Sequence, residues 1–402
     1  MPPLSRFTLS ENPEEFTAAQ RLASAQLPPT RLRSLLEVTD NSPSAIFQLT
    51  RDRLRHAPCS LTEKQVDRLY DAAKTAQPRD WERHAVALAV TVVTARDPTY
   101  PNSLLPLADA PPLVFVRGDL SVAAGTLVAI VGSRRASAYG RNQTERFARA
   151  FAATGSVLVS GGAAGIDTVA HKSALDAGGK TIAILGCGVD HAYPAENRGL
   201  FAQIAEGYGA VISEYPLGTT PEPWRFPARN RIIAALARVT VVIESPSDSG
   251  ALITARCAAE YGRSVYAVPG DVDSGRSRGC HELIRDGAFI ADRPEDVLLG
   301  LGLLPGSRAL SEEEAIAIEV PPKTPLRSVP QPQDIPTSNR PMVLLSPDEE
   351  RLLAQMPLTP VHLDEISAAA GLSASQAGVA ATLLEMKEQI RRLPGNLFVR
   401  MP

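Results

Sequence analysis

Three arginines crowd the stretch RFPARNRIIAAL, Arg225 to Leu236. Ile232, Ile233 and Leu236 supply one apolar face, so the segment reads as a helix whose first turns carry Arg225, Arg229, Asn230 and Arg231. A helix N-terminus already bears partial positive charge, so cations gathered there need a negative partner. A buried glutamate is one candidate, with Glu244 favoured as the partner; a phosphate-bearing ligand is the other. Trp224 and Phe226 flank Arg225. An aromatic ring beside guanidinium groups suits a single nucleic-acid strand, whose exposed bases stack while the arginines hold phosphates; core packing is the alternative for Phe226.

Three further segments have anion-binding chemistry. GSRRASAYG contributes Gly132, Ser133, Arg134 and Arg135; SGGAAGIDTVAH contributes Ser160, Gly161, Gly162 and Gly165; SPSDSGALITA contributes Ser249 and Gly250. Small residues let the backbone approach an anion, and hydroxyl and amide groups bind it. The glycines of any one loop could serve a tight turn alone, but three such loops with nearby arginines point to a phosphate site.

Acid–base chemistry is less well supported. Asp167 and His171 stand at i,i+4 on a helix beginning near Gly165, where their side chains can meet, although Asp167 reads better as a first-turn dipole partner. Glu214 and Glu244 lie at strand ends, and Cys187 has no histidine at a recognisable spacing. GCGVDH lacks the third glycine of a dinucleotide fingerprint, and GGKT leads into a strand rather than following one, so neither a dinucleotide nor a Walker-type site fits. Binding without turnover, and without a cofactor or metal, is the reading of the residues.

The elements that must position these groups follow from composition and period. The chain has 402 residues, 44% hydrophobic, with net charge −3, which suggests two to four domains and excludes a wholly basic nucleic-acid coat. Between residues 120 and 300 basic and acidic residues are equal, 18 of each, so the basic groups must be concentrated at the site. No secretory signal is evident. The longest apolar run, Ala85 to Val93, is far short of the ~20 residues of a membrane span. Cys59, Cys187, Cys257 and Cys280 are scattered and form no CxxC, so reduced thiols in a cytoplasmic protein are expected.

From Leu127 onward, short apolar runs (LVAIVG, VLVSGG, TIAILG, AVISEY, VTVVIES, SVYAVPG) alternate with amphipathic segments. This is the pattern of an α/β domain, a doubly wound parallel sheet covered on both faces. Residues 1–115 are helix-patterned and end in a proline-punctuated connector, 116–302 form the α/β domain, 303–345 read as a proline-rich linker, and 346–402 give helix, turn, helix and hairpin, a winged-helix pattern.

Taken in order, VGSRRASAYG, SGGAAGIDTVAH, GCGVDHAYPAEN, SEYPLGTTPEPWRFPARNRIIAAL, SPSDSGALITA and AVPGDVDSGRSRGCHELIRDGA resemble the DprA/Smf family, as does the earlier DPTYPNSLLPLADAPPLVFVRGDL. The resemblance covers about Asp97 to Ala288. It implies an extended Rossmann-like domain that binds single-stranded DNA in natural transformation and helps load the RecA recombinase. It also implies a homodimer and no established catalytic step. Arg134, the Ser160-Gly161-Gly162 loop, Phe226, Arg229, Asn230 and the Ser249-Gly250 turn would then lie against DNA, and the N-terminal helices would be of the sterile-alpha-motif or helix-hairpin-helix sort. LPPTRL replaces the glycine-bearing turn between those helices, His281 stands where the family has asparagine, and Glu388 where it has glycine before the wing. The winged helix has no Lys or Arg on its second helix before Lys387, which points to a protein-interaction or accessory role; Arg391 and Arg392 are the basic groups of its wing. The glycine-rich fold is also similar to that of LOG-type nucleoside-monophosphate phosphoribohydrolases, so a nucleotide-processing enzyme is the second reading. Those enzymes carry PGGxGT and a glutamate where this chain has SDSGALITA.

Overall fold

Alternating side chains of the strand Leu127–Gly132 settle how the sheet is covered. Val128 and Ile130 enter one buried cluster, Ala129 and Val131 another, because a strand presents successive side chains to opposite faces. The computed structural model describes residues 6–58, 61–74, 80–303, 345–356, 361–387, 389–393 and 397–400. Its contacts divide into two units, 1–318 and 319–402.

The first unit begins with β1 (Arg6–Thr8) and helices α1 (Pro13–Ser24), α2 (Pro29–Val38), α3 (Pro43–Phe47), α4 (Arg51–Arg55), α5 (Glu63–Lys74) and α6 (Trp81–Ala87). β2 (Thr91–Thr94) and β3 (Leu113–Gly118) follow. Then come β4 (Leu127–Gly132), α7 (Ala138–Ala153), β5 (Val157–Ser160), α8 (Ile166–Asp176), β6 (Thr181–Ile184), α9 (Arg198–Gln203) and β7 (Gly209–Ser213). The domain closes with α10 (Arg225–Leu236), β8 (Val239–Ile243), α11 (Gly250–Glu260), β9 (Ser264–Ala267), α12 (Arg278–Arg285), β10 (Phe289–Ile290) and α13 (Pro294–Gly300).

The ten strands form one sheet, ordered β1-β2-β3-β7-β6-β5-β4-β8-β9-β10. β7 through β10 in that order are parallel, and β1, β2 and β3 extend the sheet antiparallel. The chain winds outward one way through β4, β5, β6 and β7, then returns to wind the other way through β8, β9 and β10. Strand order therefore reverses between β4 and β8, the switch point where open α/β sheets bind ligands. Phe147 and Phe151 of α7 and Ala170 of α8 pack with Val128, Ile130 and Val241 on one face; Ile232, Ile233 and Leu236 of α10 and Ala255 of α11 pack with Val131 and Val242 on the other. This is the doubly wound arrangement expected of the repeated strand–helix pattern.

The N-terminal helices share their core with the sheet. Phe16 of α1 stacks on Trp81 with centroids 6.0 Å apart and meets Phe115 of β3 edge-on at 6.3 Å. Leu27 and Leu32 of the LPPTRL segment are buried in that cluster, and Gln20 exchanges hydrogen bonds with the Leu217 backbone in both directions.

The second unit contains α14 (Pro347–Ala354), β11 (Val361–His362), α15 (Leu363–Ala370), α16 (Ala374–Met386), β12 (Ile390–Leu393) and β13 (Leu397–Arg400). Ser346 and Glu349 form a reciprocal capping box at the start of α14. Leu352, Ile366, Ala377, Leu384 and Phe398 make the core, with the strands ordered β11-β13-β12. Two helices joined by a turn and followed by a hairpin constitute a winged helix. Lys387 ion-pairs with Glu349 at 2.8 Å, so that cation is spent inside the unit. The proline-rich segment 304–344, Glu388 and the expected Pro394-Gly395-Asn396 turn lie outside the described residues.

Candidate nucleic-acid interface

At the switch point the loops after β4, β5 and β8 and the first turns of α10 enclose a crevice of about 470 Å³. Among its lining residues are Gly132, Ser133, Arg134, Arg135, Asp167, Tyr193, Phe226, Arg229, Asn230, Ser249 and Gly250. The structure thus brings together, from four places in the chain, most of the residues that the sequence marks. Gly165 lets two of these loops touch. Its φ is +82°, and an added Cβ would collide with the Ser133 carbonyl, so the α8 N-terminus packs directly under the β4 loop.

Arg134 and Arg135 are exposed. The Arg134 guanidinium carbon lies 5.2 Å from the Phe226 ring centroid, and Phe226 stacks on Tyr193 at 5.2 Å with planes 30° apart. A cation, a half-buried ring and an exposed ring therefore form one column at the crevice wall. Gly186 lies against Phe226, where a Cβ would come within 3.0 Å of the ring. Tyr193 was not assigned from the residues, although an aromatic in the loop after β6, at the carboxyl edge of a parallel sheet, is a signal of this kind. Ser249 caps α11 by accepting from the Ala251 N–H at 3.3 Å, and the Asn230 amide donates to the Gly250 carbonyl at 3.1 Å, tying α10 to the α11 N-terminus.

Other marked residues serve the walls rather than the opening. Arg229 is 3% exposed and donates to the carbonyls of Gly161, at 2.6 Å, and Ile184. Burial lowers its pKa to about 10 despite the opposing charge of Asp167. Asp167, itself pushed up by burial, accepts from the N–H groups of Gly161 and Ala163 at 3.2 and 3.3 Å. Ser160 turns its hydroxyl onto the Ile130 carbonyl at 2.7 Å and is fully buried; Gly161 and Gly162 are buried as well. Arg225 is 9% exposed, donating to Thr220 and lying 3.3 Å from Glu222. Arg231 belongs to the opposite side of α10, where it pairs with Glu214 at 2.6 Å. The cations of the opening helix thus have three separate internal answers.

Two expectations about carboxylates are corrected. Glu244 does not pair with an arginine of α10. Its carboxylate accepts from the Ser137 N–H and hydroxyl, both at 2.9 Å, at the start of α7, and Arg276 approaches at 3.7 Å. β8 lies beside β4, so the end of β8 faces the helix that follows β4 rather than α10. His171 does not meet Asp167 either. It bonds Thr181 at 2.7 Å, and burial holds its pKa at about 3. Cys187 is pushed by burial to about 11, an unreactive thiol. His281 braces the Gly270 carbonyl at 3.1 Å. Among the described residues no group of three or more His, Cys, Asp or Glu side chains could hold a metal, and no helix is long and apolar enough to cross a membrane.

Comparison with known proteins bears on the same segments. The family model "DNA recombination-mediator protein A" matches residues 91–302, and the "DprA winged helix domain" model matches 331–396. The chain is 33% identical to Protein Smf of Synechocystis sp., covering 88% of this chain and 92% of that protein. It is 45% identical to the DNA processing protein DprA of Streptococcus pneumoniae, over 50% of this chain and 71% of that protein. The X-ray structure of that pneumococcal protein superimposes with a TM-score of 0.60 at 35% identity, covering 69% of this chain and 95% of that one.

Proposed function

The chain belongs to the DprA/Smf family of DNA-processing proteins, and from that premise we propose that it binds single-stranded DNA at the switch-point crevice. The observation that carries the reading is the Arg134–Phe226–Tyr193 column. It offers a guanidinium to a phosphate and, at the open end of the column, the exposed Tyr193 ring to a base. Backbone N–H groups at the start of α11 add partial positive charge, whereas those leading into α8 are engaged by the Asp167 carboxylate. No base-reading code accompanies these groups, so binding is weakly dependent on sequence. The family resemblance extends the proposal to a cytoplasmic homodimer that protects the strand and helps load RecA during natural transformation.

Changing Arg134 and Arg135 together to alanine tests the assignment, since both are exposed and neither supports the core. Fluorescence anisotropy across a salt series is expected to give weaker binding of single strands. The slope of log K against log salt is expected to flatten by roughly 1.4, about 0.7 for each lost contact. An unchanged slope would remove these arginines from the site. The phosphoribohydrolase reading has less support, because Glu244 and Asp167 are both engaged by backbone N–H donors. Incubation with nucleoside monophosphates is expected to release no free base; release abolished by Glu244→Gln would restore that reading.

A further inference from the structure

We propose that Trp224 is a second stacking platform for the same strand. The DNA leaving the crevice crosses the first turn of α10 and lays a base on the Trp224 indole, beside a groove between α10 and the N-terminal helices. The inference rests on the single-strand reading above and extends the path of the DNA.

Helical spacing splits α10 into two stripes. Phe226, Arg229, Asn230 and Ile233 line the crevice, whereas Trp224, Ala228 and Arg231 line a separate groove of about 360 Å³ whose far wall includes Leu22 and Leu27. Residues at i, i+4 and i+7 share a face, and those at i+2 point away from it. A strand touching both Phe226 and Trp224 must therefore pass over the start of the helix. No side-chain cap closes that end, so its partial positive charge faces the crossing phosphate. Pro223 and Pro227 are exposed there and give the crossing a stiff, uncharged floor.

Trp224 is 52% exposed, yet it is held in place. The Arg225 guanidinium lies over its ring at 4.9 Å, the Tyr215 ring meets it edge-on at 6.5 Å, and its Nε1–H donates to Glu222 at 2.5 Å. Arg225 is in turn fixed by Thr220 and by the Tyr215 ring, 5.4 Å away. A large aromatic that is both half open and oriented by three neighbours is prepared to stack without a further ordering cost. The groove's own charges point to a base rather than a phosphate. Arg231 is balanced by Glu214 at 2.6 Å and by Asp109 at 3.9 Å, and Glu222 at the indole edge would repel an anion.

The test compares wild type, Trp224→Ala and Trp224→Phe on labelled oligothymidine of about 12 nucleotides and on an abasic strand with the same phosphates. Stacking is worth about 1–3 kcal/mol per base, so Trp224→Ala is expected to weaken the thymidine strand roughly fivefold or more with the salt slope unchanged. On the abasic strand it is expected to match wild type, and Trp224→Phe is expected to keep most of the affinity. The chain has two tryptophans, and Trp81 is 5% exposed, so quenching of emission by the thymidine strand reports Trp224. Equal losses on both strands would overturn the proposal by making Trp224 a support of the fold. No loss and no quenching would overturn it too, leaving the indole for a protein partner. Failure of the crevice reading is separate: it appears as an Arg134→Ala/Arg135→Ala variant that binds both strands like wild type.

Discussion

Arg134 and Arg229 lie on the same crevice and do different work. Arg134 is exposed with its guanidinium over Phe226, so it can exchange water for a phosphate at little desolvation cost. Arg229 is buried, and its donors are engaged by the Gly161 and Ile184 carbonyls beside Asp167. Removing Arg229 strands two carbonyls and takes away a positive charge that opposes the burial of Asp167. Arg229→Ala is therefore expected to lower stability by roughly 2–6 kcal/mol, about 1–3 kcal/mol for each buried acceptor left unsatisfied, as read by urea denaturation. Arg134→Ala is expected to leave the unfolding midpoint within the ordinary scatter of surface substitutions, about 0.5 kcal/mol, while weakening DNA. A soluble, stable Arg229→Ala protein with selectively lost DNA binding would reverse the two roles. In the sequence both residues are arginines near glycine loops, and nothing in their spacing separates an exposed cation from a buried strut.

Elements decide which of these side chains reach the crevice. The strand–helix alternation and the apolar faces are legible because period 2 and period 3.6 leave different hydrophobic patterns, and the crevice loops are legible because glycine and serine follow apolar runs. Strand order is not, because it depends on which edges pair. The partner of Glu244, which depends on that order, is not legible either. β8 returns to β4, and this sets the Glu244 carboxylate on the N-terminus of α7 while its carbonyl accepts from the Ser133 N–H at 2.9 Å. One residue thus anchors both the helix and the loop that carries Arg134. Ser137 also caps α7, accepting from Gly140 at 3.1 Å. Ser137→Ala is expected to cost about 1–2 kcal/mol, the upper part of the N-cap range, because Glu244 loses a hydroxyl donor as well. Single-strand affinity should fall with it although Ser137 touches no ligand. A thermal melt and an anisotropy titration on the same sample check this; full affinity after the loss of the cap would show that the Ser133–Arg135 loop holds its shape without it.

At the scale of the whole α/β unit, buried titratable groups tie the helices to the sheet and make stability depend on pH. Asp190, fully buried at its side chain, accepts from the Gly218 N–H at 3.0 Å and from His84 of α6 at 3.1 Å, with His191 3.3 Å away. Burial raises its pKa, but His191, the Gly218 N–H and His84 outweigh burial and hold the carboxyl below the ordinary range. A depressed carboxyl contributes stability that is present above its unfolded value and lost as pH falls through the folded one. His171 adds to the same trend. Burial and the Arg229 charge take it from 6.5 to about 3, so below about pH 6.5 the unfolded chain gains a proton that the native chain refuses. His191 opposes both: Asp190 raises it, and its contribution is full below the unfolded value and lost as pH rises through the folded one. Acid lability should dominate, because the His191 ring is partly exposed while His171 is buried against Thr181. Urea midpoints followed downward from about pH 7 are expected to fall, with His171→Gln showing a shallower decline than wild type and His191→Asn a steeper one. If His171→Gln declines as steeply as wild type, the acid sensitivity belongs to Asp190. In that case the contact between α6 and the loop after β6, rather than the interior of α8, carries the acid-sensitive part of the stability.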